Sequence, residues 1–329
     1  MRLKLSNAVD PFLLFLVATV ATASLAPCHG AAATAFGQIT DAAIALLFFL
    51  HGAKLSREAI VSGIGHWRLH LVVAASTFVL FPILGLAVQA AGHGWLDPAI
   101  SQGLLFLCLL PSTVQSSIAF TSIAGGNVPA AVCSASASNL AGIFITPVLV
   151  GLLMGARTGG GVSLHSIEAI ALQLLAPFIL GHLSRPLTAG FLGRHKKVVN
   201  LVDRGSILLV VYSAFSAAVV EGLWRKLSAS DLVLVLVLDG VILAAALIAT
   251  TLAARALRFS RPDEIAIVFC GSKKSLASGV PMAGVLFPPA LVGPIIVPLM
   301  LFHQMQLMVC AVLARRYAAS DGAVNAEAD

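Results

Sequence analysis

The sequence predicts an all-α polytopic membrane protein with ten transmembrane helices in two inverted five-helix repeats, the fourth and ninth helix of the series being broken. Three observations carry that expectation. Of 329 residues, 59% are apolar, against 20 Lys and Arg and 14 Asp and Glu, whereas soluble domains run at about 45–50% apolar and about 25% charged. Apolar blocks of 14 to 29 residues recur ten times, bracketing the roughly 20 residues that a span requires. Two of these blocks are interrupted by polar residues near their middles.

The blocks fall at Pro11 to Leu25, Ile39 to Gly52, Leu71 to Ala91, Ile100 to Ile123 and Val128 to Ala156, then at Ile167 to Leu183, Gly205 to Val220, Leu232 to Leu252, Ile265 to Phe287 and Leu291 to Ala314. Continuous blocks exclude the ten-residue alternation of an outer-membrane barrel. Five spans per half is an odd number, so the second half inserts upside down relative to the first, as in many secondary transporters. This divides the chain into a first repeat over 1–157, a second over 158–317 and a disordered acidic tail over 318–329. A charged start at Arg2 and Lys4 with small residues at Ala21 to Ala26 also resembles a signal peptide. Its removal would leave nine spans, so it is read as a retained first helix.

Orientation follows from the basic residues, which concentrate in cytoplasmic loops. Of the 20, three lie in expected outer loops (Arg157, Arg225, Lys226), two lie inside span nine, and the remaining 15 fall in segments that share a side with both termini. Both termini are therefore expected in the cytoplasm, in a cell (inner) membrane. The five cysteines are scattered through apolar segments and suggest neither a disulfide framework nor a zinc site.

Span four reads GLLFLCLLPSTVQSSIAFTSIAGG, with Pro111, Ser112, Thr113, Gln115, Ser116 and Ser117 interrupting an apolar helix. Span nine reads IAIVFCGSKKSLASGVPMAGVLF, with Gly271, Ser272, Lys273, Lys274 and Ser275 doing the same. Unpaired backbone at membrane depth is tolerated only where it is buried in protein or lines a wet cavity. Breaks in corresponding spans of two halves are the best sequence pointer to a transport site. The two lysines sit roughly 13–15 Å into a helix starting near Glu264, at 1.5 Å per residue. A charge at that depth costs at least about 2.5–3.5 kcal/mol on insertion scales and is normally functional. Snorkelling, the bland alternative, suits helix ends better than mid-span positions.

Other polar residues in the spans are weaker candidates. Ser134, Ser136, Ser138 and Asn139 in span five serve close helix packing or face the break in span four, since Ser134 and Ser138 share a helical face. Asp239 in span eight pairs with a lysine or backbone, or else faces a lipid-side defect or a helix contact. Asp41, Glu168 and Glu221 lie near span ends, where the interface solvates them, and His51 and His303 read as packing groups. No GxGD, GxSG or HExxH pattern and no phosphate-binding GxxxxGK[ST] loop occurs, so neither an enzyme nor an ATP-driven pump is expected.

At CGSKKSLASGVPM, GGNVPAAV and FFLHGAKLS the chain resembles the bile acid:sodium symporter family, solute carrier family 10, and in particular the divergent branch of its seventh member and bacterial relatives. The resemblance covers roughly residues 8 to 316. It implies a panel domain of spans 1, 2, 6 and 7 and a core domain of spans 3 to 5 and 8 to 10, with broken helices four and nine crossing. The family's Ser-Asn in span four falls on Ser116 and Ser117, and its span-five hydroxyls fall on Ala131 and Ala135. Its span-three glutamine falls on Thr77, and its span-ten histidine is matched by His303. The sodium-ligating acid of span nine falls on Val268, and its Gln-Asn on Ser272 and Lys273. The carboxylate is lost and lysines occupy the crossing.

These readings set the functional expectation. The protein is a secondary transporter, a symporter by family, that moves an organic anion, bile-acid-like or otherwise amphipathic, by alternating access. Lys274, or else Lys273, acts as a built-in cation beside half-helix N-termini that favour anions, making transport sodium-independent or proton-coupled. The other class held open is a non-transporting membrane regulator, of calcium handling or envelope biosynthesis. No cofactor is expected; sodium is implied by the resemblance and argued against by the lost carboxylate. The expected partners are the small-molecule anion and the lipid bilayer, not nucleic acid.

Overall fold

The computed structural model describes residues 11–54, 66–91, 94–154, 164–226 and 228–326. Arg2, Lys4, Ala156 and Arg157, and residues 327–329 of the expected acidic tail, lie outside the described residues. Among the described residues the regular structure is entirely helical.

The helices are α1 (Pro11–Leu25), α2 (Ala31–Lys54), α3 (Trp67–Ala91), α4 (Pro98–Leu109), α5 (Gln115–Ile123), α6 (Val128–Leu153), α7 (Leu164–Leu183), α8 (Arg185–Arg194), α9 (Lys196–Val220), α10 (Ala229–Ala256), α11 (Arg261–Gly271), α12 (Leu276–Leu286) and α13 (Pro289–Ala326). Six of them, α2, α3, α6, α9, α10 and α13, are long and apolar enough to cross a membrane. Of the ten expected spans, four and nine drop out of such a count because each is two half-helices, α4 with α5 and α11 with α12; α1, with only 15 residues, and α7 are the other two outside the six. Helix α13 continues to Ala326, where the sequence reading placed a disordered tail from 318.

Local chemistry explains the breaks. Helix α4 starts on Asp97, whose side chain accepts from the N–H groups of Ala99 and Ile100, with Pro98 in the first turn. It stops because Pro111 has no N–H and holds Leu110 extended, at φ −79° and ψ 158°. Helix α5 ends at Gly125, whose φ of 72° suits a glycine beyond a helix C-terminus. Helix α11 starts on Ser260, followed by Pro262 and by the acidic residues Asp263 and Glu264 in its first turn. Inside α3, residues Ser76–Leu80 form a π-helical turn, followed by Phe81 and then Pro82.

The chain divides into two compact units, each drawn from both sequence halves. The first comprises the described residues of 1–55, 151–229 and 279–297. In it α2 and α7 touch backbone to backbone: a Cβ on Gly52 would lie 1.9 Å from the carbonyl oxygen of Phe178, and one on Gly181 would lie 1.9 Å from that of Phe49. Close approach through small residues is how membrane helices pack. Thr40 and Ser213 bond between α2 and α9 at 2.8 Å, and Lys54 pairs with Asp203.

The second unit comprises the described residues of 56–150, 230–278 and 298–329, and both breaks lie in it. Gly142 on α6 makes room for the first break, since a Cβ there would meet Pro111 at 2.6 Å. The buried stripe of α10 runs through Val235, Asp239, Ile242, Leu243, Ala246, Thr250 and Ala254, the spacing of one helical face.

Candidate functional site

The two breaks meet. Ser112 Oγ donates to the carbonyl of Cys270 at 2.5 Å, Ser117 Oγ donates to that of Phe269 at 2.9 Å, and the N–H of Ser275 donates to the carbonyl of Pro111 at 2.9 Å. Hydroxyls from the first break thus satisfy carbonyls that the end of α11 leaves open. Around them Thr113 bonds Ser117 at 2.8 Å and Ser116 donates to Thr113 at 2.9 Å. Ser138 of α6 accepts from the backbone N–H of Ser112 at 3.1 Å, and Ser272 donates to Val268 O at 2.6 Å. Asn139 joins the second break by accepting from Ser278, which in turn is bonded by Ser275.

Lys274 ends in a cage of main-chain oxygens. Its Nζ donates to the carbonyls of Thr77 at 2.8 Å, Cys108 at 3.0 Å and Leu110 at 2.6 Å, and lies 4.2 Å from the centre of the Phe81 ring. An ammonium has three donors, so all are used. Each oxygen is available for a local reason. The N–H of Phe81 bonds Ser76 in the π turn, and the next residue, Pro82, has none to give Thr77. The donor that would continue α4 onto Cys108, the N–H of Ser112, is taken by Ser138. Leu110 is already extended.

A glutamine holds this lysine's backbone in place. Gln306 accepts from the N–H of Lys274 at 2.8 Å and donates to its carbonyl at 2.9 Å, and its amide also meets His303 Nδ1 at 2.8 Å. His303 is therefore part of the support of the break. Thr77 contributes its carbonyl to the site, while its hydroxyl bonds back to Val73. The geometry corrects one expectation: the ammonium of Lys274 lies against oxygens at the C-terminal, negative end of α4, not at a half-helix N-terminus.

Lys273 has a different environment. Its ammonium is fully buried, has no hydrogen-bond partner among the described residues, and lies 4.5 Å and 5.4 Å from the ring centres of Phe120 and Phe269. Two other predicted residues stand apart from the meeting of the breaks. Ser134 is bonded to His70 of α3 at 2.6 Å, and Gln115 is exposed at the start of α5. Asp239, fully buried, has both carboxyl oxygens without a partner among the described residues. Gln306 was missed by the sequence reading; its signal was its position three residues after His303 in LFHQMQL, on the same helical face.

No group of three or more His, Cys, Asp and Glu gathers among the described residues. The main-chain oxygens that would suit a monovalent cation are already satisfied by Lys274, so the residues present do not fit an added sodium ion in that cage.

Apolar helices of spanning length, with two interrupted ones whose breaks meet inside the protein, define the class: a multi-pass membrane transporter. The chain belongs to the SBF-like CPA transporter family, whose model matches residues 10–319. It is 60% identical over 309 residues to the uncharacterized protein PA2026 of Pseudomonas aeruginosa, covering 94% of this chain and 93% of that one. It is 57% identical over 315 residues to YfeH of Escherichia coli, provisionally named a symporter, covering 96% and 95%. With sodium/bile acid cotransporter 7 of Danio rerio it shares 29% identity over 279 residues, 84% of this chain and 82% of that protein. The member-seven-like branch indicated by the sequence motifs is therefore where this chain sits.

Proposed function

We propose that this protein is a secondary transporter of an organic anion, bile-acid-like or otherwise amphipathic, in which Lys274 replaces a bound sodium ion. The observation that carries this reading is the cage of three carbonyls closed on the lysine's ammonium. Unwound backbone and half-helix C-termini are the groups that coordinate coupling cations in broken-helix transporters. Here a covalently attached cation takes their oxygens, so cation binding no longer waits on sodium. The relatives' names, a symporter and a sodium/bile acid cotransporter, support transport of this kind.

In this reading ten spans form two inverted five-helix repeats in the cell (inner) membrane, with both termini cytoplasmic, and the unit holding the breaks moves during alternating access. The anion is received near the N-terminal end of α5, where Gln115 is exposed and Ser116 half-buried, because a helix N-terminus favours negative charge. Coupling falls to protons, and Asp239, a carboxyl in the middle of α10 with no partner among the described residues, is the group placed to carry one.

Uptake of conjugated bile acids and simpler amphipathic anions into proteoliposomes, under a sodium gradient, a proton gradient or neither, tests the proposal. Uptake that follows the proton gradient and ignores sodium is expected. Strict sodium dependence of the wild type overturns the lysine's assigned role, and absence of flux for every anion overturns the transporter's substrate class.

A further inference from the structure

Helices α10 and α13 leave between them, within the second unit, a groove of about 830 Å³ that the transport site does not use. Its walls are aliphatic: Leu247, Ile248 and Leu252 from α10, and Met308, Val309 and Val312 from α13. One end is strongly basic, lined by Arg255, Arg261 and Arg316. The two walls are in matched register. Arg255 follows Leu247 by eight residues and Arg316 follows Met308 by eight, which places the guanidinium level ~12 Å from the inner end of the groove on both helices. That depth is close to one leaflet of a hydrocarbon core about 30 Å thick.

The basic end is a built arrangement. Glu264, itself buried, accepts from Arg255 through Nε and Nη2 and from Arg261 through Nη1, and so fixes the two guanidinium groups together. Arg261 also lies 4.4 Å from the centre of the Tyr317 ring and donates to Ser320. Two guanidinium groups thus share one carboxylate, and the third, Arg316, lines the same end of the groove without a carboxylate contact among the described residues and is exposed. Planar guanidinium donors match phosphate oxygens, and basic pockets between membrane helices on the cytoplasmic side receive anionic headgroups. This is also the end that the distribution of basic residues assigns to the cytoplasm.

We infer that this groove is a binding site for an anionic phospholipid of the cytoplasmic leaflet, its phosphate held by Arg255 and Arg316 and one acyl chain laid between α10 and α13. Charge complementarity selects the headgroup, and the aliphatic walls select a lipid over a soluble phosphate.

Native mass spectrometry of the full-length protein tests it, with phosphatidylglycerol and phosphatidylcholine of identical acyl chains as probes. Phosphatidylglycerol is expected to be retained preferentially. Arg316→Gln should lower that retention by about fivefold, from the roughly 1 kcal/mol a surface arginine contributes toward anionic lipid. Arg255→Gln with Arg316→Gln should bring it to the phosphatidylcholine level. Val312→Trp, which leaves the arginines intact and fills the groove, should lower retention as well, and it carries the test should the double variant not fold. Equal retention of the two lipids overturns the proposal, as does an equal loss in Arg185→Gln with Arg194→Gln, basic residues that do not line the groove. A rise in melting temperature with inorganic phosphate matching that with phosphatidylglycerol overturns the lipid assignment.

Discussion

Lys273 and Lys274 are neighbours in one break, yet they solve the burial of an ammonium in different ways. Lys274 has three carbonyl oxygens at 2.6–3.0 Å, each spared by a proline, an extended residue or a diverted N–H. Lys273 has two phenyl rings and no hydrogen-bond acceptor among the described residues. Hydrogen bonds to a charged group are worth about 1.5–3 kcal/mol each, whereas a ring contributes about 2 kcal/mol when desolvated. Removing a buried ion from water costs several kcal/mol. The first lysine's bonds offset that cost; the second's rings fall short of it. Two adjacent and identical side chains thus differ in whether they hold the fold together.

The largest expected effect is at the cage. Lys274→Met leaves three buried oxygens without a donor and should cost about 3–5 kcal/mol, a fall in melting temperature of roughly 10 °C at about 2–4 °C per kcal/mol. Thermal unfolding of the purified variant reads this, and an unchanged melting temperature means that the cage does not hold the fold. The shorter Lys274→Ala sharpens the point, because it opens the same oxygens to a free cation. Its melting temperature should rise with added sodium or ammonium while the wild type's does not.

Next comes the support of the break. Gln306→Leu removes both bonds to the backbone of Lys274 and strands a buried N–H and carbonyl, which should cost about 2–3 kcal/mol. Uptake should fall in parallel with stability, since the same amide holds His303. Stability lost with uptake intact would place Gln306 outside the transport machinery.

A smaller effect is expected at Ser138, whose hydroxyl keeps the N–H of Ser112 away from Cys108 O. Ser138→Ala should cost about 1–2 kcal/mol, and the freed N–H then competes with the lysine for the same oxygen. In the double variant with Lys274→Met the cost should shrink, because the competition no longer matters; additive costs in that cycle would show that the two groups are independent.

The sites of these variants were unequally legible in the sequence. Both breaks were readable, because a proline without an N–H and a polar run in an apolar block leave little room for continuous helix. That two lysines fall in the middle of an apolar block was readable from counting, and both side chains are buried. The cage was not, since its oxygens belong to the main chain and nothing in the letters of Thr77, Cys108 or Leu110 marks them. Pro82, five residues after Thr77, was the available signal for one of the three. Ser134 was drawn to the break by periodicity, but a helical face spans several neighbours, and His70 is the one that takes its hydroxyl. The division into units that interleave the two halves depends on contacts far apart in sequence, which periodicity along single helices does not report.

The smallest effect on stability is the most informative about Lys273. Replacing it by methionine keeps the length of the side chain and its packing on Phe120 and Phe269 while removing an ammonium that has no acceptor. The loss of the two ring interactions, about 2 kcal/mol each when desolvated, is offset by the several kcal/mol of desolvation cost that disappears, so the melting temperature should hold or rise. A group that does not stabilise the state in which it is buried is retained for what it does in another, and intramembrane charges are functional by default. Uptake should therefore fall in Lys273→Met although the protein is as stable as the wild type. A melting temperature lowered as far as that of Lys274→Met would erase the contrast between the two lysines. Unchanged uptake would leave Lys274 as the single working cation of the break.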